Sequence, residues 1–264
     1  MRTERSAYRP LRRLALGALL VALGCSPTIP ADQTEERDGL TYRIGSDRPL
    51  SGAVIQPFPD SVEAAEGVVR VEAHFEGGLL DGTTSDYFPD GTLRAETVYE
   101  AGARVGTHTE WYASGQTLRT ITYPVDASPG LVREWTEEGQ LVLEQDQVDG
   151  RPHGASRTWF PSGAPQSEGT YLEGALHGVL TRWWESGQQR SEVAYQNGFQ
   201  HGPAREWHED GTLASQGTFL RGQPHDRFQR WHPNGTQAVE ALYLEGEILE
   251  LQMWDEEGRL TASR

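Results

Sequence analysis

Lysine is absent from this chain, so all 23 of its basic residues are arginine. They stand against 39 acidic residues, which leaves a formal net charge of −16 at pH 7. A protein of this charge repels nucleic-acid phosphates and anionic lipid head groups, which excludes the nucleic-acid-binding classes. On an outward strand face, arginine is most often solvated or paired with glutamate across neighbouring strands.

Cysteine is nearly absent as well, because Cys25 is the only one in the chain. A single cysteine excludes any disulfide within the chain. The apolar run Leu14–Leu23 is far shorter than the roughly 20 residues that a membrane-spanning helix needs. Stability must therefore come from aromatic packing and paired strands rather than from cross-links.

The N-terminus has the layout of a secretory signal, with a basic start, a short apolar run and small residues at its exit. Gly24, Cys25 and Ser26 follow the run, and together they resemble a bacterial lipobox, in which the cysteine becomes the lipidated first residue. Acyl chains contribute about 0.8 kcal/mol per buried methylene, so more than one chain anchors a protein stably. With Ser26 rather than Asp after the cysteine, the resemblance to lipoproteins implies the outer membrane of a double-membraned bacterium. The alternative is an ordinary export signal with an incidental cysteine.

The rest of the chain is dominated by a Trp-x-x-x-Gly unit that returns with a period of 24 residues. Three further columns keep the same step: a glycine five residues before the aromatic, an aromatic twelve after it and a glycine fifteen after it. Self-similarity at such a period indicates a repeat array whose units stack on their neighbours. The first aromatic position is held by Tyr87, Trp111, Trp135, Trp159, Trp183, Trp207, Trp231 and Trp254.

Turn chemistry indicates what each unit folds into. Segments such as Pro161-Ser162-Gly163 carry the residues of a three-residue hairpin loop that ends in a left-handed glycine. The flanking segments are short, alternating and rich in aromatics and threonine, as strands are. A second turn, placed at Gly174–Gly178 in one copy, passes the chain to the next unit. The sequence therefore predicts an all-β array of tandem hairpins.

The repeats resemble the bacterial MORN-repeat variant, in which an aromatic residue, a turn ending in glycine, a leucine and a glutamate recur in order. The resemblance covers roughly residues 80 to 260 and implies an elongated, twisted antiparallel sheet. Exported chains of this kind also resemble the YwqK-family antitoxins of toxin–antitoxin systems, and that resemblance implies a protein partner. The matching leucine and glutamate positions include Leu93, Glu96, Leu141, Glu144, Glu168, Glu192, Leu213 and Glu240.

Four segments follow from these patterns. Residues 1–24 are the predicted lipoprotein signal peptide, and residues 25–41 the lipidated cysteine with a flexible, proline-containing and charged tether. Residues 42–79 form a degenerate N-terminal capping repeat, and residues 80–264 the MORN-type repeats. Two prolines within residues 123–130 predict a kink or a loosened seam in the sheet there.

Four histidines recur in register just before the glycine column, which raises the question of a metal site. Equivalent positions lie two strands apart, or roughly 10 Å. Ligand nitrogens must all lie about 2.1 Å from one zinc ion, so one column cannot enclose it. We expect structural roles and no metal site for His153, His177, His201 and His225.

Catalytic patterns are equally weak. Carboxylates recur with the period instead of forming one distinctive pair, and no nucleophile elbow, zinc-protease helix or phosphate-binding loop is found. An active site is normally unique, whereas this chain repeats itself. We therefore predict a protein that is not an enzyme and that needs no cofactor and no small-molecule substrate.

The aromatic columns suggest two stripes. The Trp column is expected to form the packing core of the array. Residues next to it point to the opposite face and are the better candidates for a partner-binding stripe: Phe88, Tyr112, Phe160 and Trp184. The sequence thus predicts a lipid-anchored scaffold of the bacterial envelope that binds another protein or an envelope component. The alternative is a carbohydrate- or peptidoglycan-binding module that uses this outer stripe.

Overall fold

The structure is a computed structural model that describes residues 28–124 and 129–264. The predictions for residues 1–24 and for Cys25 lie outside these residues. The described chain is built from strands, with one 3-10 turn at Ala31–Gln33. The strands are β1 (Ile29–Pro30), β2 (Thr34–Arg37), β3 (Leu40–Arg43), β4 (Gly52–Gln56), β5 (Val71–Glu76), β6 (Leu79–Tyr87), β7 (Leu93–Glu100), β8 (Ala103–Trp111), β9 (Thr117–Tyr123), β10 (Gly130–Trp135), β11 (Leu141–Val148), β12 (Arg151–Trp159), β13 (Pro165–Leu172), β14 (Ala175–Leu176), β15 (Gly178–Trp183), β16 (Gln189–Gln196), β17 (Phe199–Trp207), β18 (Leu213–Leu220), β19 (Gln223–Trp231), β20 (Gln237–Leu244), β21 (Glu247–Trp254) and β22 (Leu260–Ser263).

One sheet of 20 strands contains all of these except β2 and β3. From β4 to β13 each strand pairs antiparallel with the next along the chain, β13 pairs with both β14 and β15, and the series continues to β22. This single array of hairpins confirms the predicted fold class. Within the described ranges, no helix has the length and apolar character to cross a bilayer.

Two kinds of turn alternate along the sheet. In the first, the Phe160 amide donates to the Ala164 carbonyl at 2.9 Å, and the Gly163 amide donates to the Phe160 carbonyl at 2.8 Å. Gly163 has φ +88°, so this is the predicted three-residue loop.

The second turn is tighter than the sequence suggested. Glu173 and Gly174 have φ +51° and +86°, which is a two-residue type I′ turn. Ala175 and Leu176 already pair back with β13, so the prediction of a turn over Gly174–Gly178 is wrong in extent. Two left-handed residues reverse the chain by themselves, and no further turn residues are needed.

The N-terminal residues cap the array. β1 adds parallel to β4, and Ile29 packs with Leu50 and Val54 in a small buried cluster. The β2–β3 hairpin is held to the first unit where the Thr41 amide donates to the Gly78 carbonyl at 2.8 Å. Packing therefore begins at Ile29, twelve positions earlier than the end of the tether expected at residue 41. The sequence hides this because a parallel pairing of two short strands leaves no periodic signal.

The segment around Tyr123 interrupts the regular pairing. β9 and β10 pair only where Arg119–Ile121 faces Val132–Glu134, whereas β12 and β13 pair along nearly their whole length. Gln147, which replaces the usual aromatic, lies opposite Gly130. The limited pairing agrees with the weakness expected at this seam.

Candidate interaction surface

One face of the sheet carries a continuous polar row with one residue per strand. Arg157 lies between two carboxylates on neighbouring strands, 3.7 Å from Glu144 and 3.0 Å from Glu168. Directly paired residues share a face, so the row runs across the array without a break. Its members are Glu72, Ser85, Glu96, Thr109, Thr120, Arg133, Glu144, Arg157, Glu168, Thr181, Glu192, Arg205, Gln216, Gln229, Glu240, Gln252 and Ser263.

The opposite face carries the core, one position along each strand from the polar row. Its buried side chains are small, as in the direct pair of Val193 with Ala204, and Ala241 is only 1% exposed. Among the described residues no large side chain is fully buried. The buried members of this row include Val132, Ser156, Leu180, Val193, Ala204 and Ala241.

The glycine and tyrosine columns meet across strands. Gly178 lies directly opposite Tyr195, and the same pairing recurs from unit to unit. A ring opposite a glycine covers the backbone that glycine leaves open. The pairs are Gly82–Tyr99, Gly106–Tyr123, Gly154–Tyr171, Gly178–Tyr195 and Gly202–Phe219, with Gly130–Gln147 and Asp226–Tyr243 as variants.

The predicted partner-binding stripe has a structural role. The Tyr112 hydroxyl donates to the Trp135 carbonyl at 2.9 Å, and Trp184 Nε1 donates to the Trp207 carbonyl at 3.3 Å. Phe88 and Phe160 hold the same position in their units and are half-buried. At Tyr112 and Trp184 the stripe therefore ties its unit to the Trp column of the next one.

The Trp column itself is half-buried throughout: Tyr87, Trp111, Trp135, Trp159, Trp183, Trp207, Trp231 and Trp254. Each member ends a strand at a bulge beside the three-residue loop, as Trp159 does opposite Pro165. Stripe positions in the last units are histidines, and His208 and His232 approach the next Trp carbonyl at 3.4 Å and 3.0 Å. Bonding to the next Trp carbonyl is thus not limited to tyrosine and tryptophan.

Open grooves form where the stripe and the Trp column meet. Phe88, Trp111 and Tyr112 line one groove of about 520 Å³, with Arg94 and Glu110 beside them. Arg94 also pairs with Asp86, and this contact raises the arginine pKa.

An equivalent groove of about 400 Å³ lies four units further along. Trp184, Trp207, Arg190 and Glu206 line it, and the Arg190 guanidinium lies 4.6 Å from the centre of the Trp184 ring. The stripe thus keeps part of its surface exposed in at least two places.

The four histidines of the column lie on alternate strands or beside them. His153 is in β12, His201 in β17 and His225 in β19, while His177 lies between β14 and β15. Within residues 28–124 and 129–264, no three histidine, cysteine or acidic side chains are grouped closely enough to hold a metal ion.

Arg104 and Glu240 are among the charged side chains with perturbed pKa values. The hydroxyl groups of Tyr99 and Tyr123, at 3.4 and 3.3 Å, raise the pKa of Arg104. The pKa of Glu240 is lowered, first by the amide of Gln237 and then by that of Gln229, at 2.9 and 3.0 Å. Both groups remain charged at neutral pH and act within the sheet.

The second edge of the sheet is formed by the two-residue turns, which the sequence did not indicate as an interaction surface. Hydrogen bonds join neighbouring turns: the Gly198 amide donates to the Leu176 carbonyl at 2.9 Å, and the Gly222 amide to the Gln200 carbonyl at 2.8 Å. These bonds hold successive turns in a fixed line.

The geometry defines an array of β-hairpin repeats with an exposed surface on each face. The family model of the MORN repeat variant matches three segments, residues 80–101, 152–173 and 200–220. Each segment contains two paired strands and the three-residue loop between them. MORN repeats are generally non-catalytic scaffolds that bind proteins or membranes. No curated protein matches the chain.

Proposed function

We propose that this protein is a non-enzymatic scaffold of the bacterial cell envelope, anchored by lipid at Cys25, whose repeat sheet binds another protein. One observation supports this most: the same hairpin recurs along a single sheet, so the chain offers a long surface in place of one distinctive site. Its net charge of −16 favours a partner with basic groups.

The anchor is tested by replacing Cys25. The full chain, expressed in a double-membraned bacterium, should label with a fatty acid and sediment with outer membranes. Cys25→Ser should abolish both the label and the sedimentation. Ser26→Asp is the matched control, because it should keep the label and move the protein to the inner membrane. An unlabelled but exported wild type would identify an ordinary export signal instead.

The partner is tested by cross-linking the lipidated chain in native membranes and identifying the products. A scaffold predicts cross-links to outer-membrane or cell-wall proteins. A YwqK-like antitoxin role predicts a linked toxic protein that copurifies and is neutralised. Export of the chain favours the first outcome, since a cytoplasmic toxin would lie in another compartment. A chain that cross-links to no protein at all contradicts the proposal.

The second candidate function is carbohydrate or peptidoglycan binding through the grooves of the stripe. The favouring observation is the groove at Trp184, where an aromatic ring and Arg190 lie together at an open surface. Tryptophan fluorescence during titration with peptidoglycan fragments and a glycan panel tests it. A Trp184→Leu variant should lose any response, and an unchanged wild-type spectrum across the panel removes this candidate.

A further inference from the structure

The edge formed by the two-residue turns carries a regular series of exposed apolar side chains. In five consecutive turns, one of the two residues that close the turn is apolar and exposed, from 39% for Val148 to 62% for Phe199. We call this set the turn-edge row: Val148, Leu172, Phe199, Leu220 and Leu244. Other exposed apolar side chains, such as Ile44 and Leu260, do not recur from turn to turn, so the series along this edge is a specific feature.

The five side chains lie on the same face as the polar row. Leu172 lies four positions after Glu168 in β13, and alternation along a strand places both on one face. Val148, Leu220 and Leu244 likewise lie four positions after Glu144, Gln216 and Glu240, respectively. Phe199 is on the far side of its turn but pairs directly with Gln196, which occupies the leucine position.

The spacing of the row is set by the sheet. Four members precede their turns, but Phe199 follows its turn and lies one strand further along. The steps along the row are therefore two, three, one and two strands, or about 9.6, 14.4, 4.8 and 9.6 Å, and the five members extend over about 38 Å. The hydrogen bonds between turns keep this spacing rigid, as between Gly246 and Pro224 at 3.1 Å and between Gly174 and Pro152 at 2.8 Å. A partner therefore meets a row that is already ordered, which lowers the entropic cost of binding.

Among regular peptide structures, a helix with heptad spacing fits this row. Seven residues of helix advance about 10.5 Å, and a tilt of about 24° from the row brings this advance to about 9.6 Å, the two-strand step. The a and d positions of a heptad lie on average about 3.5 residues apart, so the same tilt gives about 4.8 Å, the one-strand step between Phe199 and Leu220. Heptad helices cross their neighbours at about 20°. An extended strand presents one face every 6.8 Å or so and falls out of step. A polyproline helix has a suitable advance, but it docks in aromatic-lined grooves, whereas four of these five residues are aliphatic.

Charge defines the partner further. The first residues of the five turns are exposed and mostly acidic: Asp149, Glu173, Asn197, Arg221 and Glu245. They border the apolar row with a net negative charge, which attracts basic side chains and repels anionic lipid. A second copy of the chain, also at −16, is disfavoured for the same reason.

We infer that the turn-edge row is a docking site for an amphipathic helix of another protein, about four heptads long, with basic residues flanking its apolar stripe. This inference rests on the proposed scaffold function and assigns it a surface and a partner class. It places binding on the turn edge, away from the aromatic stripe.

Fluorescence anisotropy with a defined probe tests the inference. The probe is a labelled 28-residue peptide with Leu at a and d and Lys at e and g, where the lysines suppress its self-association. The full chain should bind it, and Leu172→Thr/Phe199→Thr/Leu220→Thr should weaken binding at least about tenfold. The matched control Ile44→Thr/Val62→Thr/Leu260→Thr removes three exposed apolar side chains outside the row and should change binding less than about twofold.

Several results would overturn the inference. The first is that the basic peptide does not bind. The second is that a peptide with Glu at e and g, or one interrupted by proline, binds as tightly as the basic peptide. The third is that the row variant keeps its wild-type circular dichroism spectrum and binds the peptide as tightly as the wild type. Sedimentation with phosphatidylglycerol vesicles that is lost in the row variant would assign the row to a membrane. If the row variant keeps the cross-links seen in membranes, the inference fails and the scaffold function stands. A wild type without cross-links contradicts the scaffold function itself.

Discussion

Gly202 and Phe219 lie directly opposite each other on β17 and β18, and Gly202 holds φ +107° there. A Cβ atom at this glycine would come within 3.2 Å of the Cβ of Ala194 on the other neighbouring strand. The backbone conformation and the close approach both require glycine at this position of the repeat.

Replacing Gly202 therefore destabilises the sheet. We expect Gly202→Ala to lower the free energy of unfolding by about 1–3 kcal/mol, measured by urea denaturation. Adding Ala194→Gly removes the steric contact but leaves the backbone strain. The double variant should consequently recover only part of the loss. Full recovery would show that the dihedral angle carries no cost.

Ala101 offers a stabilising change. It is the first residue of a two-residue turn and has φ +48°, a conformation that costs an ordinary residue roughly 1–2 kcal/mol. Asn197 occupies the same position in another unit and tolerates it better. Ala101→Asn should raise the unfolding free energy by about 0.5–1 kcal/mol, and Asn197→Ala should lower it by as much. Changes of the same sign in both variants would contradict this explanation.

Tyr112 tests the bond between units. Tyr112→Phe removes the hydroxyl that donates to the Trp135 carbonyl and should cost about 0.5–1.5 kcal/mol in thermal or urea unfolding. Phe160→Tyr is the mirror variant, because it introduces a hydroxyl at the same register in another unit. It should be neutral or stabilising. A neutral Tyr112→Phe would mean that water replaces this bond without loss.

Glu240 makes stability depend on pH. Its neighbours hold the carboxyl pKa below its ordinary value of 4.5, so the charged form stabilises the folded chain. This contribution is present above about pH 4.5 and is lost as the pH falls through the lowered pKa of the folded state. The difference in melting temperature between wild type and Glu240→Gln should thus be largest near pH 6 and vanish towards pH 3. Glu138→Gln, in an exposed loop, is the control, and an equal pH profile for both variants would count against Glu240.

The sequence was sufficient to predict the strands because glycine, proline and asparagine fix the hairpin loops locally. The 24-residue step then placed most of the Trp and Tyr residues in their columns. Cross-strand partners were harder to predict, since bulges shift the register: that Gly202 faces Phe219 depends on the offset between Glu206 and Trp207, where β17 pairs with β18. The bond from Tyr112 to the next unit was missed for the same reason.

The turn-edge row was also hidden from the sequence. Its apolar residue precedes the turn at Leu172 and follows it at Phe199, so no single column of the repeat contains the whole row. Only the pairing across each turn brings these side chains into line. Likewise, Ile29 pairs in parallel with Val54 in the cap, and no local sequence pattern predicts this pairing.

The bonds that join one turn to the next have a consequence for the length of the protein. Because every unit contacts equivalent groups before and behind it, excising 24 residues from the regular part, such as residues 176–199, would rejoin chemically matching ends. Excising 12 would instead leave polar side chains among the buried ones. Duplication or loss of whole units can therefore lengthen or shorten the sheet without changing the contacts between neighbouring units. The length of the helix that the turn-edge row can bind would change with it.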